Sequence, residues 1–240
     1  MGAPSAIHST PLPATLQAVL TQNRPGQYGL VMPTTTGLNT VGLYGDTTLI
    51  DVGGAAGSDA NGMFKRMTMM AGVDGGAIFG STTVHPHQRR WNTQWRAKWN
   101  VTAAAAVPRR DWIGLAADPL TMLASDTPAV VHAAVRRSQP AGDATYQFSV
   151  SDGVTQTLED TGVAFVQSTP RIVRIRLIDA TPAVSMEIRD TNNVLLFGFT
   201  FTGVPLPAAS DGLAGMIAGR NLDVSITNIH CYHAAGVNDR

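Results

Sequence analysis

The chain has 240 residues, of which 44% are hydrophobic, enough for one β-sandwich or barrel with an extension, but only 14% are charged. Its net charge of +0 excludes the basic excess that nucleic-acid and acidic-membrane binders need. A single cysteine, Cys231, excludes an intrachain disulfide, and no apolar run approaches the ~20 residues of a membrane span.

Residues 1 to about 65 are rich in Gly, Thr, Pro and Ala and nearly free of charge. Thr10 suits a helix cap and Pro11 the first helical position, and Leu12, Leu16, Val19 and Leu20 then make one apolar face. That helix ends before Asn23-Arg24-Pro25-Gly26 and is marginal in length when unsupported, so it needs a partner surface. Short β-prone pieces follow, such as Val41-Gly42-Leu43-Tyr44 and Thr48 to Val52, punctuated by Gly53-Gly54. The expectation is an N-terminal helix and extended anchoring arm over 1–65, with its apolar face as the assembly contact. The start of the chain lacks the basic and apolar stretches of a secretory leader, which points to synthesis in a reducing cytoplasm.

Residues 66–240 read as strands and turns. Ala77 to Val84 is a first strand, stopped by His85-Pro86-His87. From 91 to 102 one parity holds Trp91, Thr93, Trp95, Ala97, Trp99 and Val101, and the other holds only polar residues. A helix would scatter the three indoles around its axis, whereas a strand puts them on one face. Short strands then run through Asp111 to Ala116, 130 to 136, 144 to 150 and, after the turn at Ser151-Asp152-Gly153, Val154 to Leu158. Val173, Ile175 and Leu177 form one face opposite Arg174 and Arg176, Val184, Met186 and Ile188 another opposite Ser185, Glu187 and Arg189, and Leu195, Phe197, Phe199 and Phe201 share a face. The last strand has Leu222, Val224 and Ile226 inward, with a bulge at Asn228-Ile229. About ten strands with no strong helix between them predict an all-β protein: an antiparallel sandwich or jelly roll.

Reaction chemistry has few candidates. Cys231 lies beside His230, but strand neighbours point to opposite faces, so no nucleophile–base pair forms. Two glutamates, Glu159 at a turn and Glu187 facing outward beside Arg189, do not make a glycosidase pair. His85 with His87, or His230 with His233, have chelate spacing but lack an accompanying Cys or carboxylate cluster. Asp118, Asp152, Asp160 and Asp190 stand singly in turns, where Asp serves the backbone. No catalytic residue, cofactor or metal ligand is therefore assigned, and the chain is read as a non-enzyme. Trp91, Trp95 and Trp99 have two readings: core or interface packing, or a sugar-stacking platform if their rings are exposed.

Trp112-Ile113-Gly114-Leu115, Tyr146 to Gly153, Asp160-Thr161-Gly162-Val163, the Val184–Leu196 strand–turn–strand and the closing Leu222 to Ile226 together resemble concanavalin A/laminin-G-like jelly rolls. The resemblance covers roughly 75 to 235 and is similar to modules of tailed-phage virion proteins, which stand behind N-terminal anchoring arms. It implies a capsid decoration or head/tail fibre component that docks on capsid, neck or tail proteins. A homo-oligomer, with a trimer favoured, and a location in the virion go with that reading. The alternative is a carbohydrate-binding module for attachment to host glycans.

Overall fold

A computed structural model describes residues 27–34, 37–41, 54–59, 62–69, 76–80, 87–223 and 225–237. The predicted helix face of Leu12, Leu16, Val19 and Leu20 lies outside the described residues, as do Thr48 to Val52 and His85.

Five strands come first: β1 (Gln27–Thr34), β2 (Gly37–Val41), β3 (Gly54–Asp59), β4 (Gly62–Met69) and β5 (Gly76–Gly80). A 3-10 turn at Arg89–Trp91 leads into β6 (Gln94–Val101), β7 (Arg109–Ala116) and a one-turn helix, α1 (Pro119–Met122). The rest is β8 (Val131–Ser138), β9 (Thr145–Asp152), β10 (Gln156–Ala164), β11 (Arg171–Ile178), β12 (Ala183–Arg189), β13 (Leu195–Thr202), β14 (Ala214–Asn221) and β15 (Thr227–Val237).

Two antiparallel sheets result. The larger has nine strands in the order β13-β12-β11-β6-β15-β1-β2, with β4 also on β15 and β3 on β4. The smaller runs β10-β9-β8-β7-β14-β5. Strands β1 to β4 thus extend the same sheet as the tryptophan strand, and the boundary read at residue 65 lies within β4.

The alternation in β6 decides how the layers meet. Trp95, Ala97, Trp99 and Val101 are buried and face Ile113, Leu115, Val135, Phe148 and Val150 of the other sheet. Val173, Ile175 and Leu177 of β11 and Val184, Met186 and Ile188 of β12 continue this layer, as their spacing predicts. Burying side chains of this size is worth roughly 1.5–3 kcal/mol each, so the seam between the sheets dominates folding. Trp99 meets Tyr146 edge-on, with ring centroids 5.9 Å apart.

The smaller sheet is also covered on its outer side. Trp112, Ala116, Ala134, Met216 and Ala218 form a second cluster under Met122, Leu123 and Val130 of the α1 segment. Beside it runs a polar relay whose histidine and serine are buried. Gln156 Nε2 donates to Ser149 Oγ over 2.8 Å, Ser149 Oγ meets His132 Nε2 at 2.7 Å, and His132 Nδ1 lies 2.7 Å from the Val130 carbonyl. A carbonyl only accepts, so Nδ1 carries the proton and Nε2 accepts the serine hydroxyl. Burial holds His132 down at about 4.

Several predicted boundaries need correction. Trp91 belongs to the 3-10 turn, not to the strand, because Asn92 adopts a left-handed conformation (φ 46°) that breaks the extended run. Glu159 lies inside β10 rather than at a turn. Leu222, Asp223, Ser225 and Ile226 sit in the connection between β14 and β15, where Asp223 accepts from the Ser225 amide, so they are not part of the last strand. The register slip in β15 falls between Cys231 and His233 rather than at Asn228-Ile229. Strand β14 went unread because it alternates poorly: six of its eight residues are buried.

Candidate functional site

The outer face of the larger sheet gathers cationic side chains with little acidic compensation. Its side chains are the polar parity of the tryptophan strand together with the outward parity of β11 and β12. The strand register aligns them in rows. One row runs Thr200, Ser185, Arg176, Gln94 across β13, β12, β11 and β6, and the next runs Gly198, Glu187, Arg174, Arg96. Lys98 lies opposite Ile172, and Arg189 shares that end of β12. Five cations therefore share a surface with one carboxylate.

Glu187 is already engaged. Its Oε2 accepts from Arg189 Nε at 2.7 Å and lies 3.9 Å from Arg174 Nη1. Arg174 also donates to Asn193 Oδ1 at 2.8 Å, and Arg189 to the Asn193 carbonyl at 2.8 Å. Asn193 itself sits in the left-handed turn between β12 and β13 (φ 66°), which presents both its acceptors toward this face. Lys98 rests its ammonium 4.8 Å from the Tyr232 ring centroid, a cation–π contact on the outward bulge of β15. Neither Arg96 nor Arg176 has a carboxylate partner among the described residues. The Arg96 guanidinium is held below its usual range, first by burial and then by the neighbouring charges of Arg174 and Arg189. Arg174 shifts the same way, through burial and Arg189. The face offers a planar array of donors with an uncompensated positive field.

The three tryptophans first considered for stacking do not build a platform. Trp95 and Trp99 are 3% and 1% exposed in the inter-sheet core and show no ring face to a ligand. Gly215 makes this possible for Trp95, since a Cβ there would overlap the indole. Trp91 is half-buried in its turn, with the Arg90 guanidinium 5.0 Å from its ring centroid.

The histidines and acids also separate. His87 is buried and its backbone pairs with Leu213 on both sides, at 2.8 and 2.9 Å. His230 is half-buried, while Cys231 faces the core, where burial pushes its thiol up. No group of three or more His, Cys, Asp or Glu suited to a metal occurs among the described residues. The turn aspartates serve the backbone. Asp152 accepts from the Val154 and Thr155 amides, Asp160 from Gly162, Asp190 from Asn192 and Val194, and Asp118 from Thr121. The arginine face was not recognised as a site from the residues alone, although its signal is present there: Arg174 and Arg176 are two apart on one strand, opposite the polar parity of β6.

No family profile and no curated protein matches the chain. Solved structures do. A protein of unknown function from Shewanella oneidensis MR-1 superposes with a TM-score of 0.62 at 10% identity, over 98% of each chain. The Emp47p carbohydrate recognition domain gives 0.57 at 8% identity, over 91% of this chain and all (100%) of that one. The legume lectin-like domain from Entamoeba histolytica gives 0.51 at 14% identity, over 77% and 87%. The fold is a lectin-like, concanavalin A-type jelly-roll sandwich. At these identities the likeness is one of architecture, and function has to be argued from the side chains of this chain.

Proposed function

We propose that the protein is a carbohydrate-binding module that uses the outer face of its larger sheet, without a catalytic role. The observation that carries this reading is the pair of adjacent rows of donors and acceptors on that face, Arg96, Arg174 and Glu187 in one and Arg176 and Ser185 in the next, held by strand register on a rigid sheet. Saccharides are bound through cooperating hydrogen bonds to such fixed polar groups, and a sheet keeps them in place at low entropic cost. The architecture it shares with a carbohydrate recognition domain and a legume lectin-like domain supports the same reading. Recognition here relies on polar contacts rather than on indole stacking, since Trp95 and Trp99 are committed to the core.

The direct test is a glycan array probed with the purified protein and with Arg174→Glu. The reading expects a discrete set of bound saccharides and a signal at least tenfold lower for the variant. An array without hits would overturn it. Display on a virion, docked through residues 1–65 onto capsid, neck or tail proteins, is the setting the sequence resemblance proposes. The low charge content of 14% supports it, because surface contacts between copies or with a capsid bury uncharged area.

A further inference from the structure

Resting on the carbohydrate-binding reading above, we infer that the ligand is an acidic saccharide whose carboxylate is held by Arg96 and Arg176, with Arg174 between them. The strand register fixes the geometry. Arg96 stands directly opposite Arg174, and Arg176 follows two residues along the same face of β11, roughly 7 Å away. Opposed residues on neighbouring strands have Cβ atoms about 5 Å apart. Three arginine positions thus share an area of the face about the size of one sugar ring.

The charges do not balance within the protein. The one carboxylate of the face, Glu187, is bonded to Arg189 and is 3.9 Å from Arg174, which leaves Arg96 and Arg176 outside every ion pair of the described residues. The Arg96 Nε is shielded from solvent and has no hydrogen-bond partner. A shielded guanidinium donor beside two other cations is stabilised more by an incoming anion, which also offsets the charge, than by a neutral hydroxyl. Guanidinium forks match planar carboxylates in a two-bond geometry, which favours a sugar acid. The neighbours along the rows, Gln94, Ser185 and Thr200, supply the uncharged partners that ring hydroxyls need; Thr200 Oγ1 already donates to Ser185 Oγ at 3.2 Å. Sialic acids and uronic acids share this carboxylate, and the experiment separates them.

The test uses isothermal titration of the full chain with four probes: sialyllactose, lactose, a galacturonate oligomer and its methyl ester. The expected result is binding of at least one acid, at least tenfold tighter than its neutral counterpart, and weakened by added salt. Which acid binds identifies the source. Arg96→Gln and Arg176→Gln should each lower that affinity tenfold or more. Arg220→Gln, which removes the same charge from β14 of the other sheet, should leave it unchanged. Equal affinity for acid and neutral forms would overturn this inference and leave carbohydrate binding standing. Binding of none of the four, with hits on a glycan array confined to neutral sugars, would overturn it in the same way; no binding in either assay would overturn both readings. Arg176 is exposed, so its variant reads the site without disturbing the packing of the sheet.

Discussion

Arg96 of β6 and Arg174 of β11 stand directly opposite each other on the outer face of the larger sheet, two like charges in a position where opposite charges would stabilise. A like-charged cross-strand pair costs roughly 0.2–1 kcal/mol. Replacing Arg96 with Gln should therefore raise stability by about that amount, seen as a higher urea midpoint at unchanged slope. A lower midpoint would mean that the pair is compensated by something other than a ligand. The sheet keeps a destabilising arrangement at the place where a binding role is proposed, as functional surfaces commonly do.

The His132 relay makes stability depend on pH. The ring is fully buried and neutral, with its proton affinity pushed down to about 4 from an ordinary value near 6.5. Between these values the unfolded chain binds the proton and the folded chain does not. Stability is thus complete above pH 6.5 and falls as pH drops toward 4, by roughly 3 kcal/mol in all. Chemical denaturation at pH 7, 5.5 and 4.5 should show this slope, and His132→Gln should flatten it. An unchanged slope in the variant would assign the acid sensitivity to other groups.

The Arg136–Asp143 pair gives a contrast between buried and half-exposed charge. Its two hydrogen bonds of 2.9 and 2.8 Å are shielded, and Asp143 also accepts from the Ser138 amide at 2.8 Å. Asp143→Ala strands a buried guanidinium and should cost about 3–5 kcal/mol. Glu187→Ala, in a pair 32% exposed on the carboxylate side, should cost at most about 1 kcal/mol. Thermal melts of the two variants distinguish these values easily. Equal losses would show that burial is not what sets them apart.

Indole accessibility provides a fourth check. Trp95, Trp99 and Trp112 are buried, while Trp91 is half-buried. Iodide should quench a minor fraction of the fluorescence, and Trp91→Phe should abolish that fraction. Quenching that persists in the variant would place another indole at the surface.

The period-two alternation of β6, β11 and β12 was readable directly, because each of these strands has one dry and one wet face and the pattern states which residues go where. The β-rich class and the antiparallel sandwich followed from those strands. Strand β7 was readable only as a short apolar run and β14 not at all: the α1 segment covers the outer side of their sheet, both faces are dry, and alternation vanishes. Trp91 was misplaced for a related reason, since parity continues through a residue whose chain has already turned at Asn92.

The chain alone determined the kind of layer each segment makes, because side-chain hydrophobicity is a local property. Which strands become neighbours, and therefore that Arg96, Arg174 and Arg176 share one surface while Trp95 and Trp99 disappear beneath it, was settled only in three dimensions. Arg96 and Arg174 are far apart in sequence, and no local pattern encodes the register that brings their charges face to face.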